Sequence, residues 1–146
     1  MCGSHATEGI SITRFPYDDY AWHVQLRASN GSIATTIDFY TQPDDLKPFA
    51  SALGAFPRGP GDEACFEVGS DLGRWAYHIY LRAYGFDSVG HSALEILTDN
   101  RTEPPDHARV HFAIRCEAAS LNRLGNQLSQ WIQNSDEPLH WNSRNA

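Results

Sequence analysis

The chain has 146 residues, 41% of them hydrophobic, and a formal net charge of −7. That length predicts one domain with a core of its own. The negative balance argues against nonspecific nucleic-acid or anionic-membrane binding, which needs basic surface, and no apolar run approaches the roughly 18 residues of a membrane span.

Residues Met1–Gly9 have neither the basic nor the apolar region of a signal peptide. Gly3-Ser4-His5 reads as a cloning remnant, so this stretch is expected to be disordered or tag-derived and to lie outside the fold. Ile10 to Phe15 reads as a short strand stopped by Pro16. Trp22, Val24 and Leu26 alternate with His23, Gln25 and Arg27 in a second strand, Asn30-Gly31 is a hairpin signal, and Ile33 to Tyr40 returns. Pro43, Asp44 and Asp45 mark a helix start, which Pro57 ends, and Pro48 must sit in the first turn or kink the helix. After a Gly/Pro loop, Cys65 to Val68 is a short strand. Trp75 to Tyr84 is the clearest strand, with Trp75, Tyr77, Ile79 and Leu81 on one face and His78, Tyr80, Arg82 and Tyr84 on the other. Gly90 to Thr98 and Arg109 to Arg115 follow as strands, separated by a loop containing Pro104-Pro105. A second helix is predicted from Ala118 to Gln133, and then a polar, mobile tail, 134–146, in which Trp141 alone is expected to dock.

Thr35, Ile37 and Phe39 alternate in the same phase as Val110, Phe112 and Ile114, and a helical pattern follows each set. Leu46, Phe49 and Leu53 share one helix face, as do Leu121, Leu124 and Leu128. The expected fold is therefore α+β: a mostly antiparallel sheet of six to seven strands with two helices packed on one face. The order is βββα-ββββα, in a single domain spanning residues 10–133. The repeated template raises an internal pseudo-twofold, which requires the Pro104-Pro105 loop to be longer than its counterpart at Asn30-Gly31.

Catalytic and ligand motifs are absent. The three cysteines, Cys2, Cys65 and Cys116, show no C-x-x-C spacing. Cys65 and Cys116 are expected to pack as small hydrophobes, with a low-pKa Cys116 near a helix N-terminus as the competing reading. The seven histidines include no H-x-x-x-H helical pair, so no metal or other cofactor is predicted; a site assembled from His23, His78 and His111 on distant strands is the competing reading. Asp18-Asp19 and Asp44-Asp45 fit a turn and a helix start.

The sheet face away from the helices is the more informative surface. Alternation places His23, Arg27, Tyr40, His78, Tyr80, Arg82, Tyr84 and His111 on it, a set rich in residue types that form binding hot spots. A solvated face held by cross-strand ion pairs, such as Arg82 with Glu95, is the bland alternative.

Asp87-Ser88-Val89-Gly90-His91 opens a strand. With the strand downstream and the Leu-rich C-terminal helix, these last 60 or so residues resemble small bacterial α+β proteins, some of the toxin-immunity type. The ten arginines against the single Lys47 fit a GC-rich bacterial genome. The resemblance implies a cytoplasmic binding module and carries no catalytic residues. The expected function is non-enzymatic recognition of a protein partner, an immunity-like or adaptor role against a basic protein, through the exposed sheet face or a sheet edge. Pairing with a second copy competes with it. The alternative is a small-molecule binder or enzyme with a pocket between sheet and helices.

Overall fold

The structure is a computed structural model that describes residues 8–15, 21–70, 73 and 76–144. Cys2, Pro16, Asp18, Asp19 and Trp75 lie outside the described residues. The elements run β1 (Gly9–Phe15), β2 (Trp22–Ser29), β3 (Ala34–Thr41), α1 (Pro43–Ala55), β4 (Glu63–Gly69), β5 (His78–Gly85), β6 (Ser92–Asp99), β7 (Arg109–Cys116), α2 (Ala118–Gln133) and β8 (Leu139–Asn142).

The fold is α+β with two helices, but the strands form two sheets instead of one. Sheet A has the order β3-β2-β1-β8 and sheet B the order β4-β5-β6-β7, with every neighbouring pair antiparallel. Each helix carries the chain from an edge strand of one sheet to an edge strand of the other. Alternation says which side chains share a face, but not which strand lies alongside, so periodicity alone cannot separate one sheet from two.

The sheets share one plan. Each has four antiparallel strands, one edge strand following the other unit's helix and the opposite edge strand preceding its own; sheet B is a continuous meander, whereas in sheet A β8 from the far end of the chain pairs beside the β1-β2-β3 meander. Residues 34 and 109 open equivalent strands and 43 and 118 open equivalent helices, a constant offset. The earlier strands match because the β6–β7 connection is longer than the β2–β3 turn. That turn is built on Asn30, whose Oδ1 accepts the backbone N–H groups of Ser32 and Ile33.

The inner faces of both sheets and the facing sides of both helices make one contiguous core. Leu46, Phe49, Leu53, Leu121, Leu124 and Leu128 are all buried there, as helical spacing predicts. The sheets meet along β3, where Thr35 Oγ1 lies 2.6 Å from Thr98 Oγ1 and the Phe39 ring lies 6.3 Å from that of Phe66. The helices approach closely at Gly125, where an added Cβ would come within 2.5 Å of the Gly54 backbone nitrogen and 2.7 Å of the Ala50 carbonyl. Asn122 Nδ2 donates from α2 to the carbonyls of Leu53 and Phe56, at 2.9 and 2.7 Å. It thereby adds to the Phe56 N–H bond on the Leu53 carbonyl and supplies a donor for the Phe56 carbonyl just past the end of α1. Pro48 lies inside α1.

Both expected chain ends need correction. Gly9 belongs to β1, and Glu8 accepts hydrogen bonds at its carbonyl from the backbone N–H and hydroxyl of Ser143. Within the polar tail, Leu139 and Trp141 alternate inward, and β8 pairs with β1 in register Ile10↔Trp141 and Ile12↔Leu139. The physical reason is the open edge of β1: a four-residue strand satisfies its backbone groups and buries two large apolar side chains. Gly9 permits the approach, because a Cβ there would collide with the Trp141 carbonyl.

Candidate recognition surfaces

The face predicted to hold eight site residues is divided between two sheets. His23, Arg27 and Tyr40 lie on the outer face of sheet A, with cross-strand register His23↔Tyr40 and Arg27↔Thr36. His78, Tyr80, Arg82, Tyr84 and His111 lie on the outer face of sheet B. His78 is buried there instead of exposed, with Nε2 2.7 Å from Glu67 Oε2. The set His23, His78 and His111 is not brought together, and no three His, Cys, Asp or Glu side chains converge to hold a metal among the described residues.

Sheet B spends its charges on itself. Arg82 donates from Nε to Glu95 Oε1 at 2.6 Å and from a terminal nitrogen to Glu63 Oε2 at 2.5 Å, while its guanidinium lies 4.1 Å above the Tyr84 ring. The other oxygen of Glu95 pairs with His111 Nε2 at 2.7 Å. Burial pushes the Tyr80 phenol up to about 12, and Cys65 Sγ lies 3.7 Å from its hydroxyl. At one end of the sheet, Asp99 is buried and accepts the Arg101 backbone N–H, His107 Nε2 and an Arg109 guanidinium N–H.

These carboxylates make the fold acid-sensitive. Burial alone would raise Glu95 and Asp99, but hydrogen bonds from His111 and Arg82, and from Arg101, His107 and Arg109, outweigh it and hold both below their ordinary values of 4.5 and 3.8. Asp62, accepting the Arg58 side chain and backbone, falls to about 2. A depressed carboxylate contributes stability above its unfolded value and loses it as pH falls through the folded one. His91, raised by Asp87, has the opposite sign: its contribution is present at acid pH and lost as pH rises through the raised value. Asp87 is itself lowered by the His91 hydrogen bond, so its protonation in acid removes that pair as well. The melting temperature is expected to drop below about pH 4.5, and Glu95→Gln to flatten that drop. A profile unchanged by Glu95→Gln would contradict the role given to this network.

Sheet A has a different outer surface. Phe15, His23 and Tyr40 are cross-strand partners and form an aromatic ladder, with ring centroids 4.5 Å and 4.8 Å apart and the second pair stacked. Tyr40 is 49% exposed. In the neighbouring row, Asp38 accepts Gln25 Nε2 at 3.0 Å and lies 3.6 Å from His23 Nε2. Phe15 is missing from the predicted site, because alternation set no register between the first two strands. His140 was missed because β8 was read as tail.

Each sheet edge has one or two backbone groups bonded by a neighbouring side chain. The Tyr40 N–H donates to the Tyr77 hydroxyl at 3.0 Å on β3, and Gln127 and Arg123 of α2 donate to the carbonyls of His140 and Asn142 on β8. On sheet B, Arg58 donates to the Glu63 carbonyl and Asn30 to that of Ala113. The core void lined by Leu26, Phe39, Phe66 and Leu124 measures about 10 Å³, less than a ligand needs. Cys65 is exposed, contrary to expectation, because it falls on the outer face of β4. Burial pushes the Cys116 thiol up to about 12, so the helix N-terminus beside it does not create a thiolate.

The chain is an α+β protein of two like-ordered antiparallel sheets and two helices, none of its described helices being long and apolar enough to cross a membrane. Comparison with protein-family models, curated proteins and solved structures yields no match.

Proposed function

We propose that the protein is a non-enzymatic binding module that recognises a protein partner through the outer face of sheet A, in an immunity-like or adaptor role. One observation carries the choice of face: the Phe15–His23–Tyr40 ladder is half open to solvent, whereas the Arg82 and His111 side chains of sheet B are already paired with Glu63 and Glu95. Ordered aromatic side chains contribute large contact area at small entropic cost. The net charge of −7 favours a basic partner by steering.

The test compares Tyr40→Ser with Tyr80→Ser in partner capture from the native organism and in sedimentation. Tyr40→Ser is expected to keep the wild-type melting temperature and to weaken capture or self-association by about 2 kcal/mol or more. Tyr80→Ser should retain it. Association lost only in the Tyr80 variant would move recognition to sheet B, and association unaffected by both would reduce these faces to solvated surface.

A further inference from the structure

About 13 Å along the strands from the ladder, four residues at 3.3 Å each, the same sheet carries a second feature that the partner reading does not use. Thr36, Arg27, Ser11 and His140 form one row across four strands, fixed by the registers Thr36↔Arg27, Arg27↔Ser11 and Ser11↔His140. All four side chains point outward from sheet A, since Ile10, Leu26, Ile37 and Trp141 beside them face the core. Among the described residues none of these four side chains has a hydrogen-bond or ion-pair partner, which sets Arg27 apart from Arg58, Arg82, Arg123 and Arg144.

The row is the wall of a hollow of about 680 Å³, within the roughly 300–1,000 Å³ of small-ligand sites. Its space comes from the next row, where Gly9, Ser29 and Ala34 have small side chains or none. The Arg123 guanidinium closes it from α2, donating one N–H to the Asn142 carbonyl. No Asp or Glu lines it, in a chain with 18 acidic residues. Two carboxylates adjoining its strands are already engaged: Asp38 with Gln25 and His23, and Glu8 with Arg144. Guanidinium, imidazole and two hydroxyls stand side by side along an open concavity that no carboxylate lines. A guanidinium fork matches the two oxygens of a carboxylate or phosphate group, and the flanking hydroxyls can donate to the remaining lone pairs.

We infer that this hollow is a binding site for a small oxyanion-bearing ligand, a carboxylate or phosphate compound, with Arg27 as its principal contact and Ser11, Thr36, His140 and Arg123 around it. The site is separate from the aromatic ladder. The high net negative charge of the chain opposes an acidic macromolecule here far more than a ligand of one or two charges.

The full chain, ¹⁵N-labelled, is titrated separately with sodium phosphate and sodium succinate at constant ionic strength. Saturable NMR shifts are expected at the Ser11, Arg27, Thr36 and His140 amides and at the Arg27 side-chain Nε–H. Arg27→Gln should weaken binding by about tenfold or more. Arg27→Lys, keeping charge without the fork, should fall between, and Tyr40→Ser should bind as wild type. A response to phosphate alone assigns a phosphate ligand, and one to succinate alone a carboxylate. Shifts that fail to saturate with either anion, or saturable binding that Arg27→Gln leaves within about twofold, would overturn the site. The Tyr40 arm separates this outcome from failure of the partner reading, because partner capture depends on the ladder and anion binding on the hollow.

Discussion

Trp141→Ala is expected to destabilise the protein by about 3–5 kcal/mol, the range of a large aromatic truncation in a core. The indole is 2% exposed, and its Nε1–H donates to the Ser120 carbonyl at 2.8 Å within α2. Truncation removes that packing and the indole's hydrogen bond to α2, and loosens β8 from the edge of β1. The urea midpoint is the measurement, and Trp141→Phe separates the two contributions: it keeps most of the apolar volume and loses only the donor, so it should recover more than half of the loss. A Trp141→Ala midpoint equal to wild type would mean that the C-terminal strand does not belong to the fold.

Leu53→Ala should cost about 2–5 kcal/mol. Leu53 is fully buried where α1 crosses α2, and its Cβ would lie 2.9 Å from a Cβ added at Gly125. Such proximity leaves the helix backbones little freedom to collapse into the space created, so the cost should lie in the upper half of the range. Leu128→Ala, buried on the same helix pair, provides the comparison. Midpoints within error of wild type for both would overturn the helix-pair core.

The two substitutions also mark where local pattern was informative. Leu53 and Leu128 were legible as core because spacings of three and four leave one face to a helix whatever it packs against. The site residues were legible only by strand phase. Ile79 and Leu81 face the core and Tyr80, Arg82 and Tyr84 face out, as alternation requires. Phase said nothing of the other strands, so His23 and His78 were grouped on one surface when they stand on different sheets. Asp87 and His91 were noted only as the opening of a strand. In the structure, Asp87 Oδ2 lies 2.5 Å from His91 Nδ1, and Oδ1 accepts the Val89 and His91 N–H groups, an interaction set that organises the turn.

What the amino-acid order determined by itself was local: two helices, the inward and outward side of most strands, the hairpin at Asn30-Gly31, and a pair of strand–helix units of equal offset. Those features follow from backbone periodicity and turn chemistry, which act over a few residues. The tertiary structure decided which strands are neighbours, and so divided the outer surface into a self-neutralised face and a face with Arg27 unpaired. It also drew Leu139 and Trp141 into the fold, because the apolar area and backbone pairing gained on the open edge of β1 outweigh the entropy of ordering four residues. Neighbour choice depends on contacts between segments far apart in the chain, and no local period encodes it.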